Sequence, residues 1–265
     1  MTPTPGTPGT PGVPVTPGTP VTHPGRGLAD QTVVVIGASA GIGLETARQV
    51  RAGGGQVVLV GRNPDRLAHA ARELDPLSTA AFDATDTDRL QQFFQELPGP
   101  VDHVMVTAGG PSYVPLADLD LDAAGREIAQ RIATTLGVAV HSRGKVRAGG
   151  TLLFMGGTGG RRPAAGKAVV SALTAALPAL IANLALELAP IRVNLIAAGF
   201  VDTPLSAALL GDQLEARREE LRATLPIRRV VGPSDVAALA VHLMCNDALT
   251  GGTYDIDGGQ QLLPH

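Results

Sequence analysis

Short runs of β-branched and aliphatic residues alternate with segments whose apolar positions recur at helical spacing, from residue 32 almost to the C-terminus. Thr32–Ile36, Gln56–Val60, Thr79–Phe82, His103–Val106, Thr151–Phe154, Arg192–Ile196 and Gly252–Ile256 read as strands. Between them the pattern predicts helices over Gly41–Ala52, from Pro64 onward, and over Asp86–Leu97, Asp118–Arg143, Ala168–Ala189, Pro204–Ala223 and Ser234–Met244. Asn63-Pro64 is a start signal, a capping side chain followed by proline at the first helical position. Strands that are apolar on both faces and flanked by helices imply an α/β fold. The expectation is a doubly wound parallel sheet, Rossmann-like, of about seven strands with helices on both faces. A chain of 265 residues is long enough for one such domain, and no boundary divides residues 28–265.

Residues 1–27 break the pattern. They form a near-period-3 repeat of Pro, Gly and Thr in which Val15 and Val21 interrupt the glycine positions of a collagen-like triplet. A disordered, polyproline-like tail is expected, and it lacks the apolar stretch and basic start of a secretory signal. Ala168–Ala189, with Glu187 its only charge, has the length of a membrane span. Pro178, Asn183 and Glu187 favour a buried helix at an oligomer interface instead, so no membrane association is expected.

Charge and cysteine content narrow the function classes. Lys+Arg 21 against Asp+Glu 24 leaves a formal charge of -3 and no basic run, which argues against nucleic acid as a partner. Cys245 is the only cysteine, so neither a disulfide framework nor a Cys-based zinc site is available. No metal is expected, and a reducing, cytoplasmic setting is.

The first strand runs into Gly37-Ala-Ser39-Ala40-Gly41-Ile42-Gly43 and then into a helix. Glycines at such a turn let the backbone approach a pyrophosphate, and the helix N-terminus offers it N–H groups and a positive dipole end. The second strand ends in Gly61-Arg62-Asn63, where an acidic residue would grip the ribose 2′-OH of NAD. Arg62 suits a 2′-phosphate instead, and a charge-assisted hydrogen bond of about 1.5–3 kcal/mol would give at least about tenfold preference for NADP(H).

Taken together, the sequence resembles the short-chain dehydrogenase/reductase family from Thr32 to Gly259. The glycine turn, Asp83 past the third strand, Thr107-Ala108-Gly109-Gly110 after the fourth, Leu184–Pro190 with Arg192-Val-Asn194, Ala198–Thr203 and Asp257-Gly-Gly259 follow in the family's order. The resemblance implies an oxidoreductase acting on carbonyl or alcohol groups. It implies adenine contacts from Asp83 and Ala84, and a cofactor wall from Ala108, Gly109 and Gly110. Gly199, Val201 and Thr203 would then lie at the nicotinamide end. It also implies a homo-oligomer, a dimer or a tetramer, and a small-molecule substrate covered by the Pro204–Pro226 segment, whose sequence does not define that substrate.

The catalytic set of that family is missing. It pairs Tyr-x-x-x-Lys on the fifth helix with a Ser after the fifth strand, and here no Tyr-x-x-x-Lys exists. Counting back from Leu184–Pro190 puts Val170 at the Tyr position, Thr174 at the Lys position and Gly157 at the Ser position. Residues 114–182 contain no Asn to complete the family's proton relay. Tyr113 and Lys167 are the substitute candidates, and Arg161 and Arg162 could meet an anionic substrate. Two readings stay open: a reductase with a non-standard proton donor, or a catalytically silent NADP(H)-binding sensor or scaffold. A subunit paired with an active homologue is a third.

Overall fold

A computed structural model describes residues 27–263, so the expected tail lies outside the described residues apart from Gly27. Along the chain run β1 (Thr32–Ile36), α1 (Gly41–Ala52), β2 (Gln56–Gly61), α2 (Pro64–Leu74), β3 (Ser78–Ala81), α3 (Thr87–Glu96) and β4 (Val101–Val106). Then come α4 (Leu121–Ser142), β5 (Val146–Gly157), α5 (Ala168–Glu187), β6 (Arg192–Ala198), α6 (Pro204–Leu210), α7 (Leu214–Thr224), α8 (Pro233–Cys245) and β7 (Thr253–Ile256). The sheet has the order β3-β2-β1-β4-β5-β6-β7 and every pairing is parallel. It grows in one direction from β1 to β3 and in the other from β4 to β7. The crevice at the carboxyl ends of β1 and β4 is therefore the switch point where such sheets bind ligands.

Period-2 alternation sorts the core into two layers. Val33 and Val35 of β1 pack with Ala47 and Val50 of α1 and with Val236 and Leu243 of α8. Val34 and Ile36 face the other way, onto Phe94 of α3, Val138 of α4 and Ile181 of α5. The expected doubly wound Rossmann-like sheet, with helices on both faces, is the observed one.

Several boundaries differ from the pattern. The predicted helix 204–223 is two helices, because Gly211 takes a left-handed φ of 51° between α6 and α7. α4 starts at Leu121, where the Asp120 carboxylate accepts from the Asp122 and Ala123 amides, and Leu116–Asp118 is a separate 3-10 turn. The third strand is Ser78–Ala81, one residue earlier than its apolar run. β5 begins at Val146, with its register against β4 shifted between Val101 and His103.

α5 passes through Pro178 without a break, since proline removes only one helical hydrogen bond. By length and composition it could cross a membrane. Val170, Leu173, Leu177, Ile181, Leu184 and Ala185 nevertheless form one buried face, while Leu186 on the other side is 80% exposed. That exposed side is also what an interface helix would present.

Two buried polar groups in the sheet have energetic consequences. Arg192 at the start of β6 is 6% exposed. Its guanidinium donates to the carbonyls of Gly149 (3.2 Å), Leu243 (2.8 Å), Met244 (2.7 Å), Asn246 (2.9 Å) and Leu249 (3.1 Å). These include the last carbonyls of α8, which no helical amide can reach.

His103 on β4 meets Gln31 Oε1 through Nε2 at 2.7 Å, and its Nδ1 has no partner. Burial, with a smaller contribution from Arg192, lowers its pKa to about 3. Below the ordinary value near 6.5 the unfolded chain takes a proton that the folded one refuses, so stability is lost as pH falls from there toward 3. A decline of about 2 kcal/mol between pH 7 and pH 5 is expected in urea unfolding. His103→Leu should flatten that decline; an equally steep one in the variant would assign it to other groups.

Candidate active site

The crevice is built on close backbone approach. The amides of Gly37 and Ala38 both donate to the Val60 carbonyl at 2.9 Å, which locks the end of β1 to β2. Thr107, at the end of β4, donates its amide to the Ile36 carbonyl at 2.8 Å and its hydroxyl to the Gly37 carbonyl at 3.1 Å. A Cβ on Gly43 would fall 2.3 Å from the Gly37 oxygen and 2.6 Å from the Thr107 hydroxyl, so helix, turn and loop meet where only glycine fits. Gly43→Ala should cost about 1–3 kcal/mol by forcing this junction apart. Thermal unfolding reads it, and an unchanged midpoint would show that the turn can open.

Ala40 precedes α1 and provides no side-chain cap, so the first amides of the helix are left for a ligand. Ile42 follows within the first turn. Ser39 packs against Gly61, where a side chain would come within 3.2 Å of its Cβ. Thr203 faces the turn from the opposite wall, 3.6 Å from where a Cβ on Gly41 would lie, and caps α6 by accepting from the Ser206 amide. Val201 is buried beneath it, paired with Val231, and the Gly199 amide is held by the Ile256 carbonyl at 3.0 Å. A turn with glycine at 37, 41 and 43 against an uncapped helix N-terminus fits the pyrophosphate of a dinucleotide.

Arg62 and Asp83 are brought together, with Arg62 Nη1 3.6 Å from Asp83 Oδ2 and the Arg62 side chain 74% exposed. Burial of the Asp83 carboxyl opposes ionisation. The Thr85 amide and hydroxyl, each 2.9 Å from Oδ1, and Arg62 outweigh it, and the pKa is lowered. Asn63 sits beside them, but its Oδ1 accepts from the Arg66 amide as the α2 cap, so only its remaining polar groups can meet a ligand. A cavity of about 220 Å³ opens between Arg62, Asp83, Ala84, the Ala108–Gly110 loop and the α4 side chains Glu127, Arg131 and Thr134.

Arg131 escaped the sequence reading. Its guanidinium spans the carbonyls of Ala108 and Gly110, each at 3.1 Å. The signal was present: Glu127, Arg131 and Thr134 recur at helical spacing and lead into buried Val138, which marks them as the inward face of α4.

At the other end of the crevice the residues counted to the family's catalytic positions are neighbours. A Cβ on Gly157 would lie 3.5 Å from Thr174 Cγ2, and the Thr174 hydroxyl turns back to the Val170 carbonyl at 2.8 Å. Val170 itself is 8% exposed. None of the three can ionise. Tyr113 is half-exposed in a loop tied to the start of α5 by the Val114 amide, which donates to Gly166 at 3.0 Å. Burial raises its pKa, with Arg217 pulling the other way. Lys167 is half-buried at the residue before α5. Arg161 grips the Asp255 carboxylate and Gln261 (3.1 Å), and Arg162 donates to the Gln260 carbonyl at 2.7 Å. Among the described residues no cluster of His, Cys, Asp and Glu could hold a metal.

The sequence model of the family described as enoyl-(acyl carrier protein) reductase matches residues 37–261. The chain belongs to the short-chain dehydrogenase/reductase family. A short-chain dehydrogenase/reductase of Stachybotrys chlorohalonatus, ATR9, is 30% identical over 253 residues, covering 86% of this chain and 96% of the relative. Among solved structures, the MalC reductase/Diels-Alderase of Malbranchea aurantiaca superposes with a TM-score of 0.83 at 24% identity, covering 89% of this chain and 98% of that one. A small-chain dehydrogenase in complex with NADPH superposes with a TM-score of 0.75 at 27% identity, covering 88% and 100%. The family's members named here are dehydrogenases and reductases, so the fold and the oxidoreductase class follow from membership.

Proposed function

We propose that this protein binds NADP(H) and moves hydride between the nicotinamide and a carbonyl or alcohol, with a proton donor other than the family's Tyr-x-x-x-Lys pair. The observation that carries this reading is Arg62 at the rim of the cradle, where an NAD-selective site has a carboxylate. The turn Gly37–Gly43 would hold the pyrophosphate, Arg62 the 2′-phosphate, Asp83 the adenine, and Val201 and Thr203 the nicotinamide end. The cofactor supplies the hydride. Tyr113 is the candidate acid: its hydroxyl stays protonated at neutral pH and its loop is tied to the start of α5.

Single-turnover loss of NADPH absorbance over a panel of carbonyl compounds tests the reading. Tyr113→Phe should slow the step by about 10²-fold or more, the contribution of a positioned general acid. An unchanged rate would remove Tyr113 from the chemistry.

A second reading draws on the closed Val170–Thr174 turn, which offers no group to protonate a substrate oxygen. In that reading the protein is a catalytically silent NADP(H)-binding sensor or scaffold. Tight NADPH binding without oxidation of any panel compound would favour it.

We further infer a homo-oligomer, a dimer or tetramer built on α4 and α5, where Val140 (61% exposed) and Leu186 (80%) leave apolar surface in water. Sedimentation velocity reads the mass, and a monomer at high concentration would contradict it. With a single cysteine and a net charge of -3, a cytoplasmic setting without membrane or nucleic-acid partners is the accompanying expectation.

A further inference from the structure

The α4 helix reaches across to both loops that wall the cofactor cavity. Thr134 Oγ1 contacts the Ala84 carbonyl at 3.4 Å, after β3, and the Arg131 guanidinium bridges the carbonyls of Ala108 and Gly110, after β4. Arg131 lies against the loop so closely that a Cβ on Gly109 would come within 2.6 Å of both its terminal nitrogens. Gly109 holds a left-handed φ of 96°, the conformation that turns both neighbouring carbonyls toward one cation.

Both partners are neutral carbonyls, and no described carboxylate lies within ion-pair distance of Arg131. Burial lowers its pKa, and Glu127 one turn earlier raises it from a distance. Glu127 Oε1 is itself buried without a partner. A guanidinium has five N–H groups, and these two bonds use two of them. The same cavity is lined by Arg62, Asp83 and Glu127, so Arg131 holds its loop at the wall of a cavity that carries both signs of charge.

We propose that Arg131 is a cofactor-positioning residue that latches the Ala108–Gly110 loop, the wall against which a dinucleotide would lie. The inference rests on the dinucleotide reading given above. Arg62 would read the 2′-phosphate that only NADP(H) carries. Arg131 acts on what NADPH and NADH share, because its contacts are to the loop rather than to the ribose rim.

The test is calorimetric titration of the full chain with NADPH and NADH in wild type, Arg131→Met and Arg131→Lys, with amide hydrogen exchange of residues 107–112 in the ligand-free proteins. Arg131→Met should weaken both dinucleotides by at least about tenfold with their ratio unchanged, and should speed exchange in the loop. Arg131→Lys, which keeps the charge and loses the bidentate bridge, should recover little of the affinity and little of the loop protection. It also serves if the Met variant does not fold. Wild-type affinity for both dinucleotides in either variant, or a loss confined to NADPH, would overturn the assignment. Failure of the wild type to bind either dinucleotide would overturn the underlying reading instead.

Discussion

Arg192→Met is expected to lower stability by about 4 kcal/mol or more, the largest effect of any single substitution considered. The Arg192 guanidinium is the common partner of five carbonyls drawn from β5, the end of α8 and the segment leading to β7. A buried acceptor left without a donor costs about 1–3 kcal/mol. Leaving two or three of these unpaired therefore reaches the figure even after some relaxation and hydration.

The cation also sits at the negative end of the α8 dipole, and methionine forfeits that interaction too. Against a total of about 5–15 kcal/mol for a domain, this is a large fraction. At about 2–4 °C per kcal/mol the midpoint should fall by roughly 8–16 °C. A fall below about 3 °C in thermal unfolding would mean that water replaces the guanidinium without penalty.

The second large effect is on cofactor choice. Arg62→Asp should weaken NADPH by at least about tenfold, strengthen NADH, and change their ratio by about 10²-fold. The substitution removes the cation that answers a 2′-phosphate and places a carboxylate where a ribose 2′-OH can donate to it. It also sets two carboxylates near each other, since Asp83 lies 3.6 Å from the present guanidinium. Both side chains are substantially exposed, so that repulsion is screened and serves mainly to keep a phosphate out. Unchanged affinities would show that Arg62 does no more than pair with Asp83.

The sheet was legible because most of its strands are short β-branched or aliphatic runs that alternate with segments of helical period. The Asn63 cap and the glycine turn were legible from local spacing, whereas Thr203 entered through the family resemblance and its cap on α6 showed only in the structure. The break at Gly211 was not legible, because the flanking segments are strong helix formers and the left-handed φ of one glycine has no period. The helix over Ala168–Ala189 was legible through Pro178, and α5 runs straight through it.

Contacts between distant segments were least visible. Nothing local to Arg161 pointed to its partner Asp255, 94 residues later. Arg131 lay in a helix that composition alone marked as ordinary, 21 residues beyond the loop carbonyl it holds. By contrast, the counted positions Gly157 and Thr174 do meet in space, and neither carries an ionisable side chain.

Equilibrium titration of the purified chain with NADPH and with NADH, followed by single-turnover mixing with carbonyl compounds, tests the central claim most directly. The account predicts that NADPH binds at least about tenfold more tightly than NADH and is oxidised slowly. Equal or tighter binding of NADH would contradict the role given to Arg62, and no binding of either would reduce the glycine turn to inherited architecture.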